Sequence, residues 1–324
     1  MNDQISIIHR EDNKFIEYNV IIEAIYSILL LCDYEILSPY YNNYQHEIKK
    51  YFSSRISSED LNYFSDLSKE QFRFVIPCVF ALSLVLENGI IKADNPMEPY
   101  YVDRIGGDMV IDDCIYHLNC FFSDTDYINF FKKNKRMYND YLKSYKDIIC
   151  KIMADIQTWY NCQDITLTAY VSHLIHPGGF CVSRFHNHVK CAIGSVLNKD
   201  NSIEISLCYN VCFHEFSHHF VDRYVKNNWN SIKMLFKDNI YTILNSDDVY
   251  CQQEFICETI IRALSNYYCD KNHLNINISD FLCYPLSKHL FQVLKKEDKL
   301  CIDNCVYDML LTSMAKKMNK GECP

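Results

Sequence analysis

Residues 211–220 read Val211-Cys212-Phe213-His214-Glu215-Phe216-Ser217-His218-His219-Phe220, and this stretch decides how the rest of the chain is read. Its centre is the pattern His-Glu-x-x-His. Positions i and i+4 share one face of a helix. Two imidazoles at that spacing can both reach one ion about 2 Å from each nitrogen. Glu215, between them, would stand beside the ion, where it can take a proton from an activated water. Val211, Phe216, Phe220 and Val221 supply apolar positions for the helix. With 12 histidines in the chain, random placement yields roughly 0.02 such matches, so the pattern is read as a metal site on a helix.

Two histidines leave a catalytic zinc one protein ligand short, since such sites usually hold three plus water. The spacing predicts a helix over 250–268 that offers the third. Glu254 and Glu258 stand at i, i+4 beside the apolar positions Phe255, Ile256, Ile260, Ala263 and Leu264. One would be the ligand, and the other would hold an imidazole in its tautomer. Arg262, four residues beyond Glu258, can pair with a carboxylate on the same face. Phe220 stands two residues past His218 and no glycine follows, so the longer metzincin pattern with a third histidine is absent.

A His-Glu-x-x-His helix followed by a glutamate on a later helix resembles the gluzincin group of zinc peptidases. More narrowly, Phe213 to Val221 (FHEFSHHFV) is similar to the signature of a bacterial family of zincin-like domains of unknown function. Glu258-Thr259-Ile260-Ile261-Arg262-Ala263 resembles a second segment of that family. The resemblance implies a zincin fold and zinc ligands His214, His218 and Glu258. It leaves Glu254 and Arg262 as an alternative ligand and a supporting residue. His219 departs from it, standing where a small residue is expected.

Outward from the motif, residues 165–173, 179–185, 189–197 and 203–208 are β-branched, aromatic and partly alternating, with short turn-like separators. They predict a small, mostly antiparallel sheet. Residues 17–36, 71–87 and 121–160 show helical spacing, and 92–113, with two prolines and two glycines, reads as a connection. The expectation is an α+β fold. A helical region over 1–160 precedes a zincin-like catalytic region over 161–324, the two forming one integrated domain.

Composition narrows the function. Seven of 324 residues are glycine, about 2% against a usual ~7%, and neither GxGxxG nor a P-loop occurs, which excludes the common nucleotide-binding loops. The net charge is −9. The one basic run, residues 132–136, is short, so nucleic acid is not an expected partner. The 17 cysteines are odd in number and include no CxxC. They read as small buried hydrophobes in a reducing compartment rather than as a disulfide frame. The longest apolar stretch, Phe74 to Leu86, contains Pro77 and is well short of the ~20 residues a membrane span needs. No leader is seen, so the expected compartment is the cytoplasm, or the exterior if a leader has been removed.

The function expected is zinc-dependent hydrolysis of peptide bonds. Zn²⁺ would be held by His214, His218 and Glu258, with Glu215 as general base and a peptide or protein as substrate. Two alternatives stand beside it. One is a zinc hydrolase of another bond, or a metal-binding protein without turnover. The other is a helical interaction protein in which the motif is accidental.

Overall fold

A computed structural model describes residues 6–39, 43–185, 187–197, 202–236, 249–298 and 301–319. Its first element is a hairpin rather than a helix. Strands β1 (Ile7–Glu11) and β2 (Lys14–Tyr18) pair antiparallel, with Glu11 opposite Lys14. The loop between them is only Asp12-Asn13, and Asp12 takes the left-handed conformation that tight hairpins need. Helix α1 (Val20–Leu31) follows directly. The Asn19 side-chain oxygen caps it, accepting from the N–H groups of Ile21 and Ile22. Every residue from Val20 to Leu30 is buried, as the nearly continuous apolar run requires.

Helices α2 (Asn43–Phe52), α3 (Ser58–Glu70) and α4 (Ile76–Leu82) come next, with α1 packed against all three. The helix expected over 71–87 is thereby corrected. It ends at Leu82, and the chain turns into a second hairpin, β3 (Leu84–Glu87) and β4 (Ile90–Ala93). The reason is Asn88-Gly89. Both residues have positive φ, 51° and 80°, the backbone of a two-residue hairpin turn. The connection expected over 92–113 is corrected as well. Pro99 opens α5 (Pro99–Ile105) and Gly106 closes it in a left-handed cap, after which α6 (Asp108–Asp124) begins. Proline and glycine here punctuate helices rather than mark a loop. Helices α7 (Tyr127–Lys133) and α8 (Lys135–Trp159) complete the helical stretch expected up to Trp159.

Strands β5 (Thr166–Ser172), β6 (Phe180–Phe185) and β7 (His188–Gly194) fall where alternation placed them. The sheet, however, has five strands in the order β1-β2-β5-β7-β6 and is mixed, since β2 runs parallel to β5. The N-terminal region therefore contributes to the sheet and is not purely helical. A strand expected over 203–208 is instead the start of helix α9 (Ile205–Asn227), whose Glu204 side chain caps the N–H of Leu207. Helices α10 (Trp229–Phe236), α11 (Val249–Lys271), α12 (Ile278–Cys283), α13 (Pro285–Glu297) and α14 (Asn304–Asn319) follow. The class is α+β.

Two compact units share the chain. One comprises the described parts of 1–147, 167–183 and 190–202, and the other those of 148–166, 184–189 and 203–324. The first holds the sheet apart from a few strand-end residues. At the end of β7, a Cβ on Gly194 would lie 2.2 Å from the carbonyl oxygen of Ile175 and 2.3 Å from that of His176. Backbone atoms cannot yield as a side chain does. Gly194→Ala is expected to destabilise the protein by about 1–3 kcal/mol, read as a lowered midpoint in urea; an unchanged midpoint would show that the strand end shifts freely.

In the second unit, aromatic packing sets the register of α9 against α11. Phe213 stacks on Tyr268 at 4.2 Å between ring centroids, and Trp159 meets Phe213 edge-on at 5.3 Å and Tyr268 at 5.3 Å. Tyr160 stacks on Phe220 at 4.1 Å. Ile256, Ile260, Ile261, Ala263 and Leu264 form the buried stripe of α11. Every cysteine among the described residues is free, and most are buried. No helix among those residues is long and apolar enough to cross a membrane.

Candidate metal centre

His214 and His218 stand one turn apart on α9, next to the Phe213 and Phe220 contacts that hold the helix. His214 is 8% exposed and Glu215 7%, so the motif faces inward. Ligand-capable atoms of His214, Glu215 and His218 all lie within 4.8 Å of one another. The aromatic packing brings α11 alongside with Glu258 toward them. One Glu258 oxygen lies 3.6 Å from His214 Nε2 and the other 3.3 Å from His218 Nε2. Glu254, one turn earlier on α11, is exposed. Of the two glutamates left open by the spacing, it is Glu258 that meets the imidazoles.

Two partners of this cluster were not singled out in the sequence. Asp222 lies four residues beyond His218 on α9, and both its oxygens are 3.2 Å from His218 Nδ1. An ionised Asp222 keeps a proton on Nδ1 and so turns Nε2 toward Glu258 and the centre. The i, i+4 spacing from His218 carried that signal. Asp280 on α12 is the other; it pairs with Arg262, which in turn lies 2.9 Å from Glu258. No local pattern links Asp280 to the motif, because a separate short helix brings it there.

The electrostatics favour a cation. Burial alone would lower the His218 imidazole, but Asp222, Glu258 and Glu215 raise it well above its ordinary range. Burial alone would raise Glu258, but His214 and His218 hold its carboxyl far below the ordinary carboxylate range. Three carboxylates thus face two imidazoles, a negative field that a divalent ion would answer. The Glu258 oxygen nearest His214 also lies 2.9 Å from Arg262 Nη2. Two imidazole nitrogens and a carboxylate are a donor set suited to zinc. If a metal binds here, Asp222→Asn is expected to weaken it about 10–100-fold, measured by competition with a chromophoric chelator; equal affinity would remove Asp222 from the centre.

His173 and His176 belong to the first unit. His173 is packed among tyrosines of the first unit, 3.7 Å from Tyr141 between ring centroids. His176 closes the turn at Gly178-Gly179, accepting from the N–H of Gly178 through Nδ1 and from that of Gly179 through its carbonyl. His186 lies outside the described residues. The chain matches no protein-family model, no curated protein and no solved structure.

Proposed function

We propose that the helical second unit is a zinc-dependent metallopeptidase of gluzincin type, acting on peptides or proteins. One observation carries the reading: two helix-borne imidazoles turn Nε2 toward the two oxygens of a single carboxylate from another helix, with a buried glutamate beside them. His214, His218 and Glu258 would hold the zinc. Bound there, the ion supplies a Lewis acid that polarises the scissile carbonyl and acidifies water. Glu215 takes the proton from the attacking water and passes it to the leaving amine. Asp222 keeps the His218 ring in one tautomer and orientation. The motif's resemblance to gluzincin peptidases supports a zincin arrangement of α9 and α11.

The test begins with metal content of protein purified without chelator, followed by cleavage of a broad peptide library. The expected result is stoichiometric zinc and cleavage that chelation abolishes and zinc restores. Zinc without cleavage of any peptide would point to another bond or to binding without turnover. Absence of zinc binding would overturn the reading and favour an accidental motif.

A further inference from the structure

Resting on the zinc reading, we infer that Arg262 and Asp280 are positioning residues that clamp the ligand carboxylate of Glu258. The chain of contacts is continuous. Arg262 Nη2 lies 2.9 Å from one Glu258 oxygen, and Arg262 Nη1 donates to Asp280. The second Asp280 oxygen accepts from Asn266 Nδ2 at 3.0 Å. Asn266 is itself fixed, since its Oδ1 accepts from the backbone N–H of Asn277 at 2.6 Å. The Tyr284 ring covers the guanidinium at 4.6 Å. A rigid fork therefore links α11, α12 and the segment that leads into α12.

Energetics argue that the clamp serves the site rather than the fold. Asp280 is 4% exposed, and taking such a charge out of water costs several kcal/mol, which pairing only roughly offsets. A buried ion pair is thus a poor way to anchor a six-residue helix. The apolar side chains Ile278 and Leu282 of the same helix are 65% and 76% exposed, so α12 places Asp280 inward while leaving much apolar surface outside. What the arrangement does accomplish is restraint of the Glu258 carboxylate. It also sets one basic group between the acids Glu258 and Asp280. Both terminal nitrogens of Arg262 are engaged by carboxylates of the protein.

The experiment compares wild type with Asp280→Asn, Arg262→Met and the double variant. Zinc affinity is read by chelator competition, ligand geometry by visible absorption of the cobalt(II)-loaded protein, and folding by melting of the metal-free protein. Each single variant is expected to bind zinc about 10–100-fold more weakly and to shift the cobalt bands. The double variant should be no weaker than Arg262→Met alone, because Asp280 acts through Arg262. Should Arg262→Met fail to fold, the near-isosteric Asp280→Asn carries the test. Wild-type affinity and bands in the variants, with only melting lowered, would overturn the clamp while leaving the zinc reading intact. Independent, additive losses would overturn the action of Asp280 through Arg262. A wild-type protein that binds no metal would overturn both.

Discussion

Glu215→Gln is expected to keep its zinc and lose peptide hydrolysis by about 10²–10⁴-fold, the range over which a positioned general base accelerates such reactions. The substitution preserves volume at a residue only 7% exposed, so packing of α9 should survive. It removes the group that can accept a proton and leaves His214, His218 and Glu258 unaltered. The same variant separates two roles for Glu215, whose carboxylate lies within 4.8 Å of both imidazole ligand atoms. As a base it is dispensable for metal; as a ligand it is not. Zinc content and turnover, measured on one preparation, decide the matter. Undiminished turnover would end the general-base assignment, and loss of zinc would make Glu215 a ligand.

Glu23→Gln in the first unit should change the pH dependence of stability. Glu23 is fully buried on α1, and burial pushes its carboxyl up to about 7 although Ser172, Tyr44 and Tyr18 pull the other way. Ser172 donates to one oxygen at 2.6 Å. The groups around it are the hydroxyls of Tyr18, Tyr44, Tyr127 and Tyr138, and the His173 ring packs against Tyr18 and Tyr44. The folded protein holds the Glu23 proton up to about pH 7, whereas the unfolded chain releases it near its ordinary value of 4.5. Between those values the native state binds more protons, so stability falls as pH rises and levels off above the folded value. The contribution lost is on the order of 3 kcal/mol.

His173 runs the opposite way. Burial pushes its imidazole down to about 4, so the unfolded state takes up the proton first and stability rises with pH from about 4 to 6.5. The two slopes largely offset each other in the wild type. The informative quantity is therefore the difference between variant and wild type, in which His173 cancels. That difference should grow in favour of Glu23→Gln from pH 4.5 to 7 and stay constant above. Denaturant midpoints at pH 5, 6, 7 and 8 measure it, and parallel curves would show that Glu23 titrates alike in both states.

Local signals were readable where one element carries the whole pattern. His214, Glu215 and His218 fall within little more than one turn of a single helix, so their spacing alone is informative. The strands β5, β6 and β7 were legible because alternation and short turns coincide. Local reading failed where an apolar run suits two structures. Residues 71–87 carry helical spacing, and only Asn88-Gly89 reveals that their end is a hairpin strand. Residues 203–208 alternate like a strand, yet Glu204 supplies a helix cap. The parallel pairing of β2 with β5 joins segments about 150 residues apart in sequence, a distance over which no periodicity speaks.

By itself the sequence determined the α+β class and the motif helix with its candidate ligands and base. Glycine scarcity and the lack of GxGxxG and P-loop patterns also argued against the common nucleotide-binding loops. These rest on spacing within single elements. Spacing left Glu254 and Glu258 open, since both stand on one face of α11, and only the family resemblance ranked Glu258 first. The tertiary structure separates them by geometry, because the packing of Phe213, Trp159 and Tyr268 sets the register of α11 against α9 and so brings one turn, not its neighbour, to the imidazoles. Arg262 beside Glu258 was legible from i, i+4 spacing, whereas Asp280 reaches Arg262 from the separate helix α12. That partnership joins two helices, and helical spacing within either one cannot encode it.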